Sequence, residues 1–114
     1  MPNQQQWQSI CEIDDIQPNM GVCALFEGQQ VAIFKIVNQQ GTEDLYAINN
    51  YCPFSESNTI SRGLVGSIEN KVVVASPLYK QHFDLTTGIC VEDSSVNVNI
   101  YSVRLNGATI QLAA

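Results

Sequence analysis

Ser76-Pro77-Leu78-Tyr79-Lys80-Gln81-His82-Phe83-Asp84-Leu85-Thr86-Thr87-Gly88, or SPLYKQHFDLTTG, follows directly on the apolar run Val72-Val73-Val74-Ala75. A β-branched run that stops at Ser-Pro reads as a strand entering a loop, because proline fixes φ and has no N–H to give to a ladder. A second junction of the same kind lies upstream, where Leu45-Tyr46-Ala47-Ile48 runs into Asn49-Asn50-Tyr51-Cys52-Pro53-Phe54. Two strands that each end in a proline-containing loop are the framework from which the rest of the chain is read.

The flanking segments supply further strands. Gly21 and Gly28 bracket Val22-Cys23-Ala24-Leu25-Phe26, and Val31 to Val37 follows at once, which predicts a hairpin. Within it Cys23 sits among apolar neighbours and is expected to be buried as a small hydrophobe. Near the end, Asn106-Gly107 is the dipeptide that a two-residue primed turn favours, since both positions there take positive φ. With that dipeptide at the tip, Leu105 faces Ala108, Val103 faces Ile110 and Tyr101 faces Leu112. Upstream, Val96, Val98 and Ile100 alternate in the opposite phase, so the chain is expected to bulge or to change sheets between Ile100 and Tyr101. No segment keeps a period near 3.6. Ile10 to Met20 has room for one helical turn around Asp14 and Asp15 before Pro18 ends it. The pattern is that of an all-β sandwich or partly open barrel.

Length and charge narrow the function classes. A chain of 114 residues with 45% hydrophobic content closes one core. We read residues 1–6, polar and rich in Gln, as a disordered tail and 7–114 as a single domain. A formal net charge of −6, with Lys35, Arg62, Lys71, Lys80 and Arg104 scattered singly, argues against nucleic acid as a partner. The acidic pairs Asp14-Asp15, Glu43-Asp44 and Glu92-Asp93 read as solvated turn charges. No apolar stretch approaches the roughly 18 residues of a membrane span, and the start MPNQQQW lacks the features of a signal peptide. A cytoplasmic protein without a membrane partner is expected, with Cys11, Cys23, Cys52 and Cys90 as free thiols.

Together the two loops resemble those of the Rieske iron–sulfur family, whose pattern is Cys-x-His in a first loop and Cys-x-x-His-Gly-x-x-Phe in a second. Its cluster takes two thiolates on one iron and two imidazoles on the other. The resemblance puts Cys52 and Ser76 at the thiolate positions and Phe54 and Tyr79 at the imidazole positions, with Lys80 in place of the family's glycine. Pro53, Pro77, Phe83, Thr87 and Gly88 match the scaffold. Only one ligand survives, so no metal and no cofactor are expected on this chain. His82, three positions past the expected imidazole, reads as a surface or packing residue. The order of strands and loops from Leu45 to Leu112 also follows the family and implies a Rieske-like fold, a small β-sandwich or partly open barrel with a degenerate loop pair.

Within that family the chain resembles the small subunits of NAD(P)H-dependent nitrite reductases almost from end to end. The residues that carry this are Trp7 with Cys11 to Ile16, Gly21 to Leu25, Gln30 to Phe34, Ser61-Arg62-Gly63-Leu64, and Ala75-Ser76-Pro77-Leu78 followed by Lys80-Gln81. The resemblance implies an accessory subunit of an oxidoreductase complex that reduces nitrite to ammonium. In such complexes a large subunit holds FAD, a [4Fe-4S] cluster and sirohaem. This chain has no catalytic residues of its own on that reading, and a loop tip of Phe54, Leu78, Tyr79, Lys80 and Arg62 becomes the candidate interface. The alternative for Phe54 and Tyr79 is that they turn inward and fill the empty cluster space. Other readings are a Rieske-type ferredoxin, opposed by the ligand count, and a stand-alone β interaction module. A hydrolytic set such as Ser76, His82 and Asp84 has only composition in its favour.

Overall fold

The computed structural model describes residues 6–77 and 81–113. Eleven strands form there: β1 (Gln8–Glu12), β2 (Met20–Phe26), β3 (Gln29–Val37), β4 (Glu43–Asn49), β5 (Tyr51–Cys52), β6 (Ser57–Asn58), β7 (Leu64–Ile68), β8 (Lys71–Ala75), β9 (His82–Asp84), β10 (Ile100–Asn106) and β11 (Thr109–Ala113). Six of them build a curled antiparallel sheet in the order β1-β11-β10-β4-β3-β2. A smaller sheet of β7-β8-β9 and the short hairpin β5-β6 carry the loops. The helical turn expected around Asp14 and Asp15 is a 3₁₀ turn over Ile13–Asp15, held by a reciprocal capping box between Glu12 and Asp15. No helix among the described residues is long and apolar enough to cross a membrane.

The uninterrupted apolar run of β3 has a simple cause: both of its faces are buried. Val31 and Ile33 point into one core with Phe26, Ala47, Ile110 and Leu112, inside the curl of the large sheet. Ala32 and Phe34 point the other way, into a second core with Ile48, Cys52, Ile60, Val74 and Phe83, between the large sheet and the loop-bearing layer. A strand buried on both sides reads as a continuous hydrophobic run rather than an alternating one. Lys35 ends this run almost fully buried, its ammonium donating to the Ile13 carbonyl at 3.2 Å and lying 3.8 Å from Glu43.

The hairpin of β2 and β3 turns at Glu27-Gly28, both with positive φ, as its primed turn requires. Its outer face corrects one expectation. Cys23 is exposed, because β2 is an edge strand whose other face, ending in buried Phe26, takes the core side. The closing hairpin corrects another. Asn106 pairs with Thr109, Leu105 with Ile110 and Val103 with Leu112, so Gly107-Ala108 is the tip. Only Gly107 has positive φ there, as in primed turns with glycine in the first central place. The observed register differs from the expected one by two residues, which leaves every side chain on its original face; the hydrophobic pattern cannot tell the two apart.

The phase switch near Ile100 is a change of partner. Ile100 and Tyr101 pair with Ile48 and Ala47 of β4, and from Ser102 onward the strand pairs with β11. Tyr101 is fixed at this crossover by an edge-on contact with Phe26, ring centres 5.9 Å apart. β1 then covers the far side of β11, with Gln8 opposite Leu112. Just before β1, the Trp7 ring lies under the Arg104 guanidinium at 4.3 Å.

Gly63 marks the closest backbone approach beneath the loops. A Cβ there would sit 2.1 Å from the Ala75 carbonyl oxygen, an overlap that only a shift of the β7–β8 pair could relieve. Gly63→Ala is therefore expected to cost about 1–3 kcal/mol, a fall in Tm of about 4–10 °C on thermal melting. An unchanged Tm would mean that this crossing is not tight in solution.

Candidate functional site

The first loop leaves β4 at Asn49 and is pinned at once by Asn50, which is buried. The Asn50 N–H donates to the Gln30 carbonyl (2.9 Å) and its carbonyl accepts from the Ile60 N–H (3.1 Å). Its side-chain oxygen accepts from the Ser61 N–H at 2.7 Å, and its amide nitrogen donates to the Gln30 side chain at 3.2 Å and to the Cys23 sulfur at 3.4 Å. The chain then enters β5, and after the turn Pro53–Glu56 it returns as β6, with Cys52 opposite Ser57. Glu56 takes positive φ and donates its N–H to the Cys52 carbonyl at 2.8 Å.

The second loop leaves β8 at Ser76 and is closed by a bond from the Ser76 N–H to the Gln81 carbonyl at 2.8 Å. Leu78, Tyr79 and Lys80 lie outside the described residues, so the positions expected for the second imidazole, the replaced glycine and the apolar tip are not placed. At the base of the loop, the Glu92 carboxylate accepts from the His82 N–H at 2.8 Å and meets the His82 ring Nδ1 at 2.6 Å. Glu92 is thus more than a solvated turn charge: it clamps the loop's exit to the segment that follows β9. Burial works against its ionisation, but the bonds from the His82 backbone and ring outweigh this and hold its carboxyl below the usual value.

The fold brings Cys52 and Ser76 together. Both are buried, and thiol and hydroxyl form a hydrogen-bonded pair at 3.2 Å. Burial alone would push the Cys52 thiol up. The Ser55 and Ser76 hydroxyls and the backbone N–H groups of Ser55 and Phe54 more than offset it, leaving the thiol below its ordinary value. Ser55 was not marked in the sequence; the only signal for it is its place three residues after Cys52, inside the turn. Phe54 is half-buried, packed on the second core with its ring 6.0 Å from that of Phe83 and tilted by 47°. Arg62 is exposed on the neighbouring 3₁₀ turn, beside a depression of about 380 Å³ walled by Gly63, Leu64, Ala75, Ser76, Pro77 and His82.

These residues do not fit a two-iron cluster. Such a cluster needs two thiolates and two imidazoles or their equivalents. Here one thiol is paired with a hydroxyl, and a phenyl ring packs inward at an imidazole position. His82, the chain's single histidine, is engaged with Glu92. No group of three or more His, Cys, Asp or Glu side chains poised to hold a metal ion occurs among the described residues.

The family model for the Rieske-like [2Fe-2S] domain matches residues 6–113, and the chain belongs to that family. Within it, the chain belongs with a group of relatives that bear the name nitrite reductase small subunit. It is 46% identical over 107 residues to the nitrite reductase (NADH) small subunit of Salmonella typhimurium, covering 94% of this chain and 96% of that one. The NMR structure of the E. coli protein NirD superposes with a TM-score of 0.87 at 43% identity, covering 97% of this chain and 98% of that one. A third relative, the nitrite reductase [NAD(P)H] large subunit of Klebsiella oxytoca, is 34% identical over 104 residues; the match covers 91% of this chain but only 10% of that longer one.

Two measurements probe the site as it stands. Phe54→Ala is expected to cost about 2 kcal/mol, a drop in Tm of about 8 °C, because the ring fills space against Phe83. A drop of under about 2 °C would mean the ring contributes little to the core. For Glu92, a folded-state pKa below the unfolded one contributes stability that is full above the unfolded value and is lost as pH falls through the folded value. Glu92→Gln should therefore melt below the wild type at about pH 7, with the difference shrinking as pH falls below the usual glutamate range of about 4. Parallel curves over that range would contradict the clamp.

Proposed function

We propose that this chain is the accessory small subunit of an NAD(P)H-dependent nitrite reductase, acting in the cytoplasm without a cofactor of its own. Its partner, the large subunit, would hold FAD, a [4Fe-4S] cluster and sirohaem and carry out the reduction of nitrite to ammonium. The observation that carries this reading is the Klebsiella oxytoca relative, in which a homologous segment is about a tenth of the large chain itself. A domain found both as a separate chain and as part of its partner's chain belongs on that partner, and the matched segment in the large chain supports an equimolar complex. Free thiols at all four cysteines agree with a reducing compartment.

The loop tip is the docking face in this proposal, with Phe54, Leu78, Tyr79, Lys80 and Arg62 as its candidates. Leu64 supports it: this side chain is 81% exposed and lies against the depression beside Arg62 and Pro77. An apolar anchor beside a cationic rim is the arrangement in which the anchor sets the lifetime of a complex and the charge sets its rate of formation.

The test mixes the purified chain with the separately purified large subunit and reads mass by light scattering after gel filtration. An equimolar complex is expected, with nitrite-dependent NAD(P)H oxidation by the large subunit and none by this chain alone. Leu64→Asp should weaken the complex by about tenfold or more, and Arg62→Ala should chiefly slow association. Nitrite turnover by the isolated chain, or absence of a complex, would overturn the proposal.

A further inference from the structure

Positive charge is scarce on this chain, with 5 Lys and Arg against 11 Asp and Glu. Lys35 and Arg104 are engaged within the fold, the first on the Ile13 carbonyl and beside Glu43, the second on Trp7 and Gln111. Lys71 shares the wall of a depression with Asp84. Arg62 differs. It meets no carboxylate among the described residues, and it lines the depression of about 380 Å³ at the second loop together with His82, the chain's single histidine. Among the described residues no Asp or Glu stands in the walls of that depression, whereas Asp15 stands in the wall of the one between β1 and β2. Two groups that can carry positive charge thus meet in a concavity free of carboxylates, on a chain with a net charge of −6. Such a local inversion of the overall field attracts a small anion.

Glu92 aims the His82 ring. One carboxylate oxygen accepts from the His82 N–H at 2.8 Å and the other meets Nδ1 at 2.6 Å. A carboxylate on Nδ1 fixes the orientation of the ring and keeps a proton on that nitrogen. When the ring is protonated, Nε2 carries a second N–H, which has no acceptor among the described residues. Both groups ride on fixed backbone. The Arg62 N–H donates to the Thr59 carbonyl at 3.0 Å, the Gly63 N–H to the Ile60 carbonyl at 2.9 Å and the Ser76 N–H to the Gln81 carbonyl at 2.8 Å. Leu64 pairs with Ala75 across the floor between them.

We propose that the depression lined by Arg62 and His82 binds a small planar oxyanion, whose two oxygens match the guanidinium fork while the His82 ring donates to one of them from Nε2. Nitrite is such an anion, and its choice as the occupant rests on the function proposed above. The site holds the anion and does no chemistry on it. A concavity of this volume takes the anion with part of its hydration, since one water molecule fills about 30 Å³ of liquid.

The experiment titrates the full chain with sodium nitrite at about pH 6 and follows its backbone N–H signals by NMR. Sodium chloride at equal ionic strength is the reference, and sodium formate is a carboxylate of the same shape. Saturable shifts at Arg62, Gly63, Ser76 and His82 are expected with nitrite and not with chloride. Arg62→Gln and His82→Gln should each raise the Kd for nitrite by about tenfold or more, the loss of one charge-assisted bond. Lys71→Gln removes an equal charge elsewhere and should stay near the wild type. Folding of each variant is checked by thermal melting, and Arg62, being exposed, keeps the test decisive if His82→Gln does not fold. Equal shifts with chloride, or a wild-type Kd in folded Arg62→Gln, would overturn the inference and leave the proposed function, which is read from complex formation, standing. Saturation by formate alone would assign the depression to carboxylates and overturn nitrite as the occupant. Nitrite binding by a chain that forms no complex with the large subunit would overturn the proposed function and uphold the site.

Discussion

Asn50 is the residue on which the loop architecture depends. Its backbone and side chain engage β3, the 3₁₀ turn of Ile60–Arg62 and the edge strand β2, and each of its polar groups is satisfied away from water. A buried amide left without partners costs more than an apolar residue in the same place, so a network of this kind specifies one arrangement and penalises others. It fixes where the first loop starts, and Cys52, two residues on, inherits that position.

This explains how the loop pair can be joined by groups of the chain itself. In a cluster-bearing domain, bonds to iron join the two loops. Here the joint is a thiol–hydroxyl hydrogen bond flanked by the packing of Phe54 on Phe83, with Glu92 holding the far side of the second loop. The Ser55 and Ser76 hydroxyls and the backbone N–H groups of Ser55 and Phe54 still favour a thiolate at Cys52. A modest hydrogen bond and a half-buried ring are weaker than metal–ligand bonds, but they need only join two loops already set by Asn50 and by the β7–β8 crossing at Gly63.

Much of this was legible in the sequence, and what was not has definite causes. The strands β2, β3, β4, β8, β10 and β11, the change of partner at Ile100 and the loop pair follow from apolar patterning and proline placement, whereas β1, β7 and the short strands β5, β6 and β9 carry too little apolar pattern to be read. So did the loss of the ligand set, which is a matter of residue identity. Side-chain exposure on an edge strand was not legible, since Cys23 sits in an apolar run and only the absence of a covering layer exposes it. The register of β10 against β11 was ambiguous because the pattern has period two. Asn50 and Glu92 were missed because each acts through partners remote in sequence or through backbone groups, and neither leaves a motif; Ser55 was missed because a serine inside a turn is too common to mark a thiol's partner. Glu92 lies ten residues from His82.

The pairing of β1 with β11 brings Gln8 opposite Leu112, so the two ends of the described fold lie side by side along one margin of the large sheet. A segment with that geometry behaves as a cassette. It can be spliced into a host polypeptide through two neighbouring connections without disturbing either loop. The same folded unit can therefore pass between separate and tethered forms with its surfaces unchanged, and tethering would replace a concentration-dependent encounter by a local one.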